Sequence, residues 1–123
     1  DMDYHVLKEI PKDFDIEKFE AQKMSDRGLI SQIPPRYRTT YFGHTMEGGY
    51  TAGYYSYMWA EVLDCDAFQA YVETGDIFNQ TVAQKFRQYV LTPGGIDDAM
   101  DMYVNFRGKK PSIEPLLKNR GLK

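Results

Sequence analysis

Residues 43–63 read GHTMEGGYTAGYYSYMWAEVL and join a glycine-rich loop to a run of aromatic side chains. Four of the chain's ten glycines lie in Gly43–Gly53, which indicates a loop with demanding backbone geometry or close backbone contacts. The apolar residues that follow predict a helix from about Thr51 through Leu63. In such a helix three phenols would lie at i, i+4 and i+7 on one face, namely Tyr50, Tyr54 and Tyr57.

Further helices are predicted on both sides of this stretch. Predicted N-caps are Asp15, Asp66, Asn79, Asp97 and Ser112. Predicted ends are Pro11 and the glycines Gly28, Gly75, Gly108 and Gly121. Asp64 and Asp66 flank a predicted break after Leu63. Since no stretch alternates apolar and polar residues as a half-buried strand would, the sequence predicts an all-α fold of about six helices.

Composition narrows the class of function. The 123 residues include 15 Lys and Arg against 18 Asp and Glu, for a net charge of −3. This acidic balance argues against nucleic-acid binding, which needs clustered basic residues. The longest strongly apolar stretch, 54–63, is half the length of a membrane span. The single cysteine, Cys65, excludes an internal disulfide and fits a reducing compartment, so we expect a cytoplasmic protein.

The chain lacks the ligands of a self-contained zinc site. It has two histidines, His5 and His44, and neither belongs to a His-x-x-x-His pair. A catalytic zinc normally takes three protein ligands, often including two histidines one helical turn apart. We therefore expect no metal ligands within this chain.

The phenols admit two interpretations. Tyrosines at helical spacing are commonly core aromatics whose hydroxyls find partners at the surface. Alternatively, a row of phenols can face a cleft and donate hydrogen bonds to a developing oxyanion. The glycine loop would then let the backbone approach a ligand, and His44 stands at the start of that loop. Both interpretations are compatible with the spacing.

A family resemblance favours the second interpretation. The segment 44–59, HTMEGGYTAGYYSYMW, resembles the tyrosine- and glycine-rich motif of the thimet oligopeptidase family of zinc peptidases. The segments PPRYRTTYF (34–42), FRQYVLTPGG (86–95) and FRGKKPSIEPLLKNRGL (106–122) resemble its bacterial peptidyl-dipeptidase, or dipeptidyl carboxypeptidase, branch. The similarity covers essentially the whole chain and extends to the usual C-terminus of the family.

The resemblance implies a role for six residues. By motif alignment, His44, Tyr50 and Tyr57 are implied to be catalytic groups that face the substrate and stabilise its oxyanion. Tyr54 is implied to select substrate, and Gly48 and Gly49 to form a flexible loop that closes over bound peptide. The family fold is an almost wholly helical, two-lobed, neurolysin-like structure with zinc on a channel floor. Its zinc-binding His-Glu-x-x-His helix has no counterpart here.

We therefore expect residues 1–123 to be the C-terminal helical portion of the catalytic domain of a zinc metallopeptidase. The parent would hydrolyse short oligopeptides, with the zinc-binding part upstream, and the fragment alone would bind no zinc and be inactive. Apolar surface facing the missing part would favour self-association. Two alternatives stay open: a stand-alone aromatic module that binds peptide or sugar, and a structural or oligomerisation domain.

Overall fold

The chain is entirely helical in a computed structural model that describes residues 1–123. Seven α-helices occur: α1 (Met2–His5), α2 (Ile16–Asp26), α3 (Gly43–Met46), α4 (Ser56–Val72), α5 (Gln80–Phe86), α6 (Ala99–Arg107) and α7 (Glu114–Asn119). A 3₁₀ turn at Thr39–Tyr41 and a π-helical segment at Arg87–Leu91 complete the regular structure. There is no strand, so the all-α prediction is confirmed. No helix is both long and apolar enough to cross a membrane.

The residues form two compact units, Asp1–Ser56 and Tyr57–Lys123. Predicted caps hold in both. The Asp15 carboxylate accepts a hydrogen bond from the Lys18 N–H at 3.0 Å at the start of α2. The Asn79 side chain accepts one from the Val82 N–H at 3.1 Å at the start of α5. Such side chains satisfy N–H groups that have no partner in the first helical turn.

One prediction about a helix end changes at α6 and one at α7. Asp98, rather than Asp97, caps α6 and accepts from the N–H groups of Met100 and Asp101. Gly108 ends α6 as predicted, with a φ of 78° that glycine adopts without strain. At α7 the Ser112 hydroxyl accepts from the Glu114 N–H at 3.2 Å, although the helix itself begins at Glu114.

The predicted helix 51–63 is wrong at both ends. The segment 51–55 forms turns, and α4 begins only at Ser56. The reason is local: Ala52 has a φ of +57°, which an α-helix does not allow. At the other end α4 continues without a break to Val72, so Asp66 does not cap a new helix.

Asp66 is instead buried within the second unit. Its carboxylate accepts a hydrogen bond from the Tyr103 hydroxyl at 2.7 Å and pairs with the Arg107 guanidinium at 3.3 Å. Arg107 also forms a two-pronged ion pair with Glu73, with both N–O distances 2.7 Å. These bonds join α4 to α6. Burial raises the pKa of Tyr103 above its ordinary value, and the Asp66 carboxylate raises it further.

Apolar side chains complete the core of the second unit. Val62 of α4, Tyr103 and Phe106 of α6, and Leu116 of α7 are buried. The Phe106 ring also contacts Phe86 of α5 edge to face, with 5.2 Å between centroids. Each of these helices therefore contributes a side chain to the core of the second unit.

The first unit is organised around a buried carboxylate, that of Glu20 in α2. It accepts hydrogen bonds from the Thr39 N–H and hydroxyl, both at 2.7 Å, and pairs with Arg38. Burial would raise the pKa of Glu20, but the hydrogen bonds from Thr39 and the charge of Arg38 together hold it below its ordinary value. Tyr4 of α1 donates to the Thr39 hydroxyl at 2.8 Å. Glu20 thus connects α2 to the segment that leads into α3.

Candidate functional site

His44 lies in α3, where the chain turns from the 3₁₀ segment into the glycine loop. The next residue, Thr45, is almost fully buried, and its hydroxyl donates to the Phe42 carbonyl at 3.0 Å. This bond closes the short helical turn on itself. His44 is exposed beside it, so the turn presents the imidazole at the surface of the unit.

The imidazole of His44 lies against two of the three predicted phenols. Its ring centroid is 5.6 Å from that of Tyr50, with the planes tilted by 33°. It is 5.9 Å from that of Tyr54, which it meets nearly edge on at 76°. Tyr54 packs in turn against Phe42 at 4.8 Å. We call His44, Tyr50 and Tyr54 the imidazole–phenol cluster.

The cluster is assembled by turns rather than by one helical face. Tyr50 and Tyr54 both lie in the segment before α4, so the predicted stack of three phenols along a helix is wrong. The Gly53 N–H donates to the Tyr50 carbonyl at 2.8 Å, and the Ser56 N–H donates to the Gly53 carbonyl at 3.0 Å. These tight turns bring Tyr50 and Tyr54 to the same imidazole.

A carboxylate distant in sequence holds the same turns. Asp1 Oδ1 accepts a hydrogen bond from the Ala52 N–H at 3.1 Å, and Oδ2 accepts one from the Tyr54 N–H at 3.0 Å. Asp1 Oδ1 also lies 3.0 Å from Nδ1 of His5. Sequence reasoning missed Asp1, because a contact across 51 and 53 residues leaves no local pattern.

The glycine pair occupies the loop between α3 and Tyr50. Gly48 has a φ of +128°, a conformation that side chains with a Cβ rarely adopt. A Cβ added at Gly48 or at Gly49 would meet no atom within 4 Å. Backbone conformation therefore accounts for glycine at 48, and open space surrounds both positions.

Tyr57 belongs to the second unit, in the first turn of α4. Its side chain is 47% exposed. Further along α4, Asp66 pairs with Arg107 of α6. The sequence predicts Asp66 as a helix cap after a turn at Asp64-Cys65-Asp66, and it does not predict the pairing with Arg107.

The residues of this chain do not fit a zinc site. No group of three or more His, Cys, Asp or Glu side chains is arranged to hold a metal ion. His5 is engaged with Asp1, and the His44 ring contacts those of Tyr50 and Tyr54.

Comparison with known proteins matches the chain to one family. The model of peptidase family M3 matches residues 1–122. Dipeptidyl carboxypeptidase of Salmonella typhimurium is 39% identical over 123 residues, which is 99% of this chain and 18% of that protein. Oligopeptidase A of Escherichia coli is 45% identical over 82 residues, covering 67% of this chain and 12% of that protein. A probable cytosolic oligopeptidase A of Arabidopsis thaliana is 49% identical over 97 residues, covering 76% of this chain and 14% of that protein.

The chain thus spans less than a fifth of the length of the curated relatives it matches. The family match nevertheless includes every residue of the imidazole–phenol cluster, the glycine pair and Tyr57. Because that match extends over nearly the whole sequence, the chain belongs to peptidase family M3.

Proposed function

We propose that this chain supplies the substrate-binding and transition-state-stabilising segment of a zinc-dependent peptidyl-dipeptidase or oligopeptidase. The parent protein would hydrolyse short peptides. The observation that carries the proposal is the imidazole–phenol cluster: His44 contacts both Tyr50 and Tyr54 in a motif that belongs to a peptidase family. Relatives of this chain are named dipeptidyl carboxypeptidase and oligopeptidase A.

The phenols suit the chemistry of peptide hydrolysis. Attack on a scissile carbonyl converts its oxygen to an oxyanion, which gains strength as a hydrogen-bond acceptor. Tyr50 and Tyr57 would each donate a hydrogen bond to that oxygen through the phenol hydroxyl. Hydrogen bonds that strengthen in the transition state raise the rate rather than merely tightening binding.

The imidazole and the remaining side chains suit substrate binding. His44 would bind the substrate backbone or the same tetrahedral intermediate through a ring nitrogen. Tyr54, whose ring packs against both His44 and Phe42, would help to select the substrate. Gly48 and Gly49 lie in open space, which leaves room for the loop to close over a peptide.

The metal chemistry would belong to the rest of the parent protein. Peptidase family M3 consists generally of metallopeptidases, whereas this chain offers no set of ligands. We accordingly propose that the zinc ligands and the general base lie outside residues 1–123, and that these residues alone are not catalytic. The single thiol of Cys65 is consistent with a parent protein that works in the reducing cytoplasm.

The test is Tyr57→Phe in the full-length protein. Loss of one oxyanion donor should lower kcat by roughly 10²–10³-fold and leave KM nearly unchanged. Hydrolysis of a short peptide is followed by mass spectrometry, which also shows whether dipeptides leave from the C-terminus. Tyr55→Phe is the matched control, since Tyr55 is a 65% exposed phenol two residues away.

Three outcomes separate the candidate functions. A fall in kcat confined to Tyr57→Phe supports oxyanion stabilisation. A rise in KM with constant kcat would indicate that the phenol binds peptide without assisting the chemistry. Equal activity of wild type, Tyr57→Phe and Tyr55→Phe would contradict the proposed catalytic role.

A further inference from the structure

We propose that Asp1 is a positioning residue for the imidazole–phenol cluster, because its carboxylate fixes the backbone turns that carry Tyr50 and Tyr54. This inference rests on the proposed function of that cluster. Asp1 itself does not belong to the cluster, and the segment that it holds is more than fifty residues away in sequence.

The Asp1 carboxylate is well placed to hold these turns. Its side chain is only 11% exposed, and each of its two oxygens accepts a backbone N–H, from Ala52 and from Tyr54. The intervening Gly53 N–H donates within the turn, to Tyr50. Asp1 therefore accepts from two alternate N–H groups of the turn, on either side of Gly53. Hydrogen bonds to a carboxylate are roughly twice as strong as those between neutral groups.

The turns need this support because they contain a residue in a disfavoured conformation. Ala52 has a φ of +57°, and it is the one non-glycine residue of the chain with a positive φ. Such a conformation persists where surrounding contacts over-determine it. The hydrogen bond from the Ala52 N–H to Asp1 is such a contact. Without it, relaxation of Ala52 would move Tyr50 and Tyr54 relative to His44.

His5 orients the carboxylate from its other side. Its Nδ1 lies 3.0 Å from both the Asp1 carboxylate and the Asp1 carbonyl oxygen. Since both neighbours are acceptors, Nδ1 carries the hydrogen and donates. His5 of α1 thus holds the Asp1 carboxylate, and that carboxylate holds the turn before α4. Asp1 would therefore act on the substrate only indirectly, by fixing the positions of Tyr50 and Tyr54.

The experiment compares Asp1→Asn with Asp3→Asn in the full-length protein. Asp3 is a matched control because it lies two residues from Asp1, and its carboxylate pairs with Arg27 rather than with the turn. The first readout is hydrogen–deuterium exchange of the peptide spanning residues 50–56, measured by mass spectrometry. Asp1→Asn should accelerate that exchange roughly 10- to 100-fold, whereas Asp3→Asn should leave it unchanged.

The second readout is steady-state hydrolysis of a short peptide, well below the unfolding temperature of each variant. Misplaced phenols should lower kcat roughly tenfold with KM within about twofold of wild type. Loss of folded protein alone would also lower the apparent kcat at constant KM, so kcat is expressed per folded molecule, with the folded fraction of each variant measured by circular dichroism. A variant that was merely less stable would then show the kcat of wild type.

The outcomes distinguish failure of this inference from failure of the proposed function. Faster exchange together with lower kcat in Asp1→Asn supports the positioning role. If Tyr57→Phe loses activity but Asp1→Asn matches Asp3→Asn in either readout, the positioning role is overturned and the proposed function stands. If Tyr57→Phe retains full activity, the proposed function fails, and the role of Asp1 in serving it fails with it, whatever the exchange data show.

Discussion

At the residue scale, Ala52 shows why the phenols could be found by sequence and their arrangement could not. The identities of Tyr50 and Tyr54 follow directly from the motif. Their placement depends on a positive φ at Ala52 and on an acceptor at Asp1, and neither leaves a periodic signal. Helical spacing therefore predicted a shared face, whereas consecutive turns bring the two rings to His44.

The strain at Ala52 leads to a stability prediction. Ala52→Val places a β-branched residue where φ is +57°, and should lower the free energy of unfolding by about 1–3 kcal/mol. Ala52→Gly should be close to neutral, because relief of strain offsets the added freedom of the unfolded chain. Chemical denaturation followed by circular dichroism gives both values.

The control for that pair is Ala60→Val. Ala60 is exposed within α4, so valine there should cost no more than about 0.7 kcal/mol of helix propensity. Equal losses at positions 52 and 60 would contradict the claim that Ala52 is strained.

Glu20 gives a prediction about pH. Its folded-state pKa lies below the ordinary value of 4.5, so its stabilising contribution is complete above that pH. The contribution is lost as the pH falls through the folded-state pKa, when the carboxylate takes up a proton. Glu20→Gln should therefore lower the unfolding temperature at neutral pH, and the difference from wild type should shrink below about pH 4.5.

Glu17→Gln serves as the comparison, because Glu17 is an exposed carboxylate in the first turn of the same helix. Thermal unfolding of the three proteins between about pH 7 and pH 3 makes the measurement. A gap between wild type and Glu20→Gln that stays constant with pH would count against the ion pair and hydrogen bonds at Glu20.

At the element scale, α4 shows where sequence patterns succeed and fail. Its apolar residues and the glycine turns before it were sufficient to predict a helix in this region. The run Asp64-Cys65-Asp66 predicts a break, since two carboxylates beside a cysteine more often form a turn. Asp66 continues the helix because Tyr103 and Arg107, about forty residues later, supply the partners that its carboxylate needs. A pairing between helices cannot be inferred from the spacing of residues within one of them.

The buried ion pair gives the prediction for this scale. Asp66→Ala leaves the Arg107 guanidinium, itself 6% exposed, without its buried partner. Breaking such a pair typically costs about 3–5 kcal/mol of unfolding free energy. Asp64→Ala removes an exposed carboxylate two residues earlier on α4 and should change stability by less than about 0.5 kcal/mol. Similar losses in the two variants, measured by urea denaturation, would show that Asp66 is not a structural anchor.

At the scale of the whole molecule, the motif predicted the family and the helical class, and both are confirmed. The roles of the site residues, the missing zinc ligands and the inactivity of the chain alone stay predictions. Many large apolar side chains are exposed, among them Phe68, Phe78, Leu91 and Ile96. Such exposed apolar surface is the reason to expect self-association of the isolated chain. This also stays a prediction, which sedimentation would test.

The absence of a ligand set predicts how the isolated chain responds to metal. Calorimetric titration of residues 1–123 with zinc should show no stoichiometric binding, and the chain with added zinc should not hydrolyse peptides. The full-length protein under the same conditions is the positive control. Stoichiometric zinc and hydrolysis in the short chain would mean that it contains a catalytic centre of its own.

Helix α4 also carries the chain's single tryptophan and its single cysteine, Trp59 and Cys65. Six residues of α-helix separate them by about 9 Å along the axis. A fluorophore on Cys65 would therefore quench or accept the emission of Trp59 while the helix is intact, and would lose that coupling when it frays. Burial and the neighbouring carboxylates raise the pKa of the thiol, so labelling is best done in mildly alkaline buffer. Trp59 and a labelled Cys65 would thus report by fluorescence whether α4 is intact.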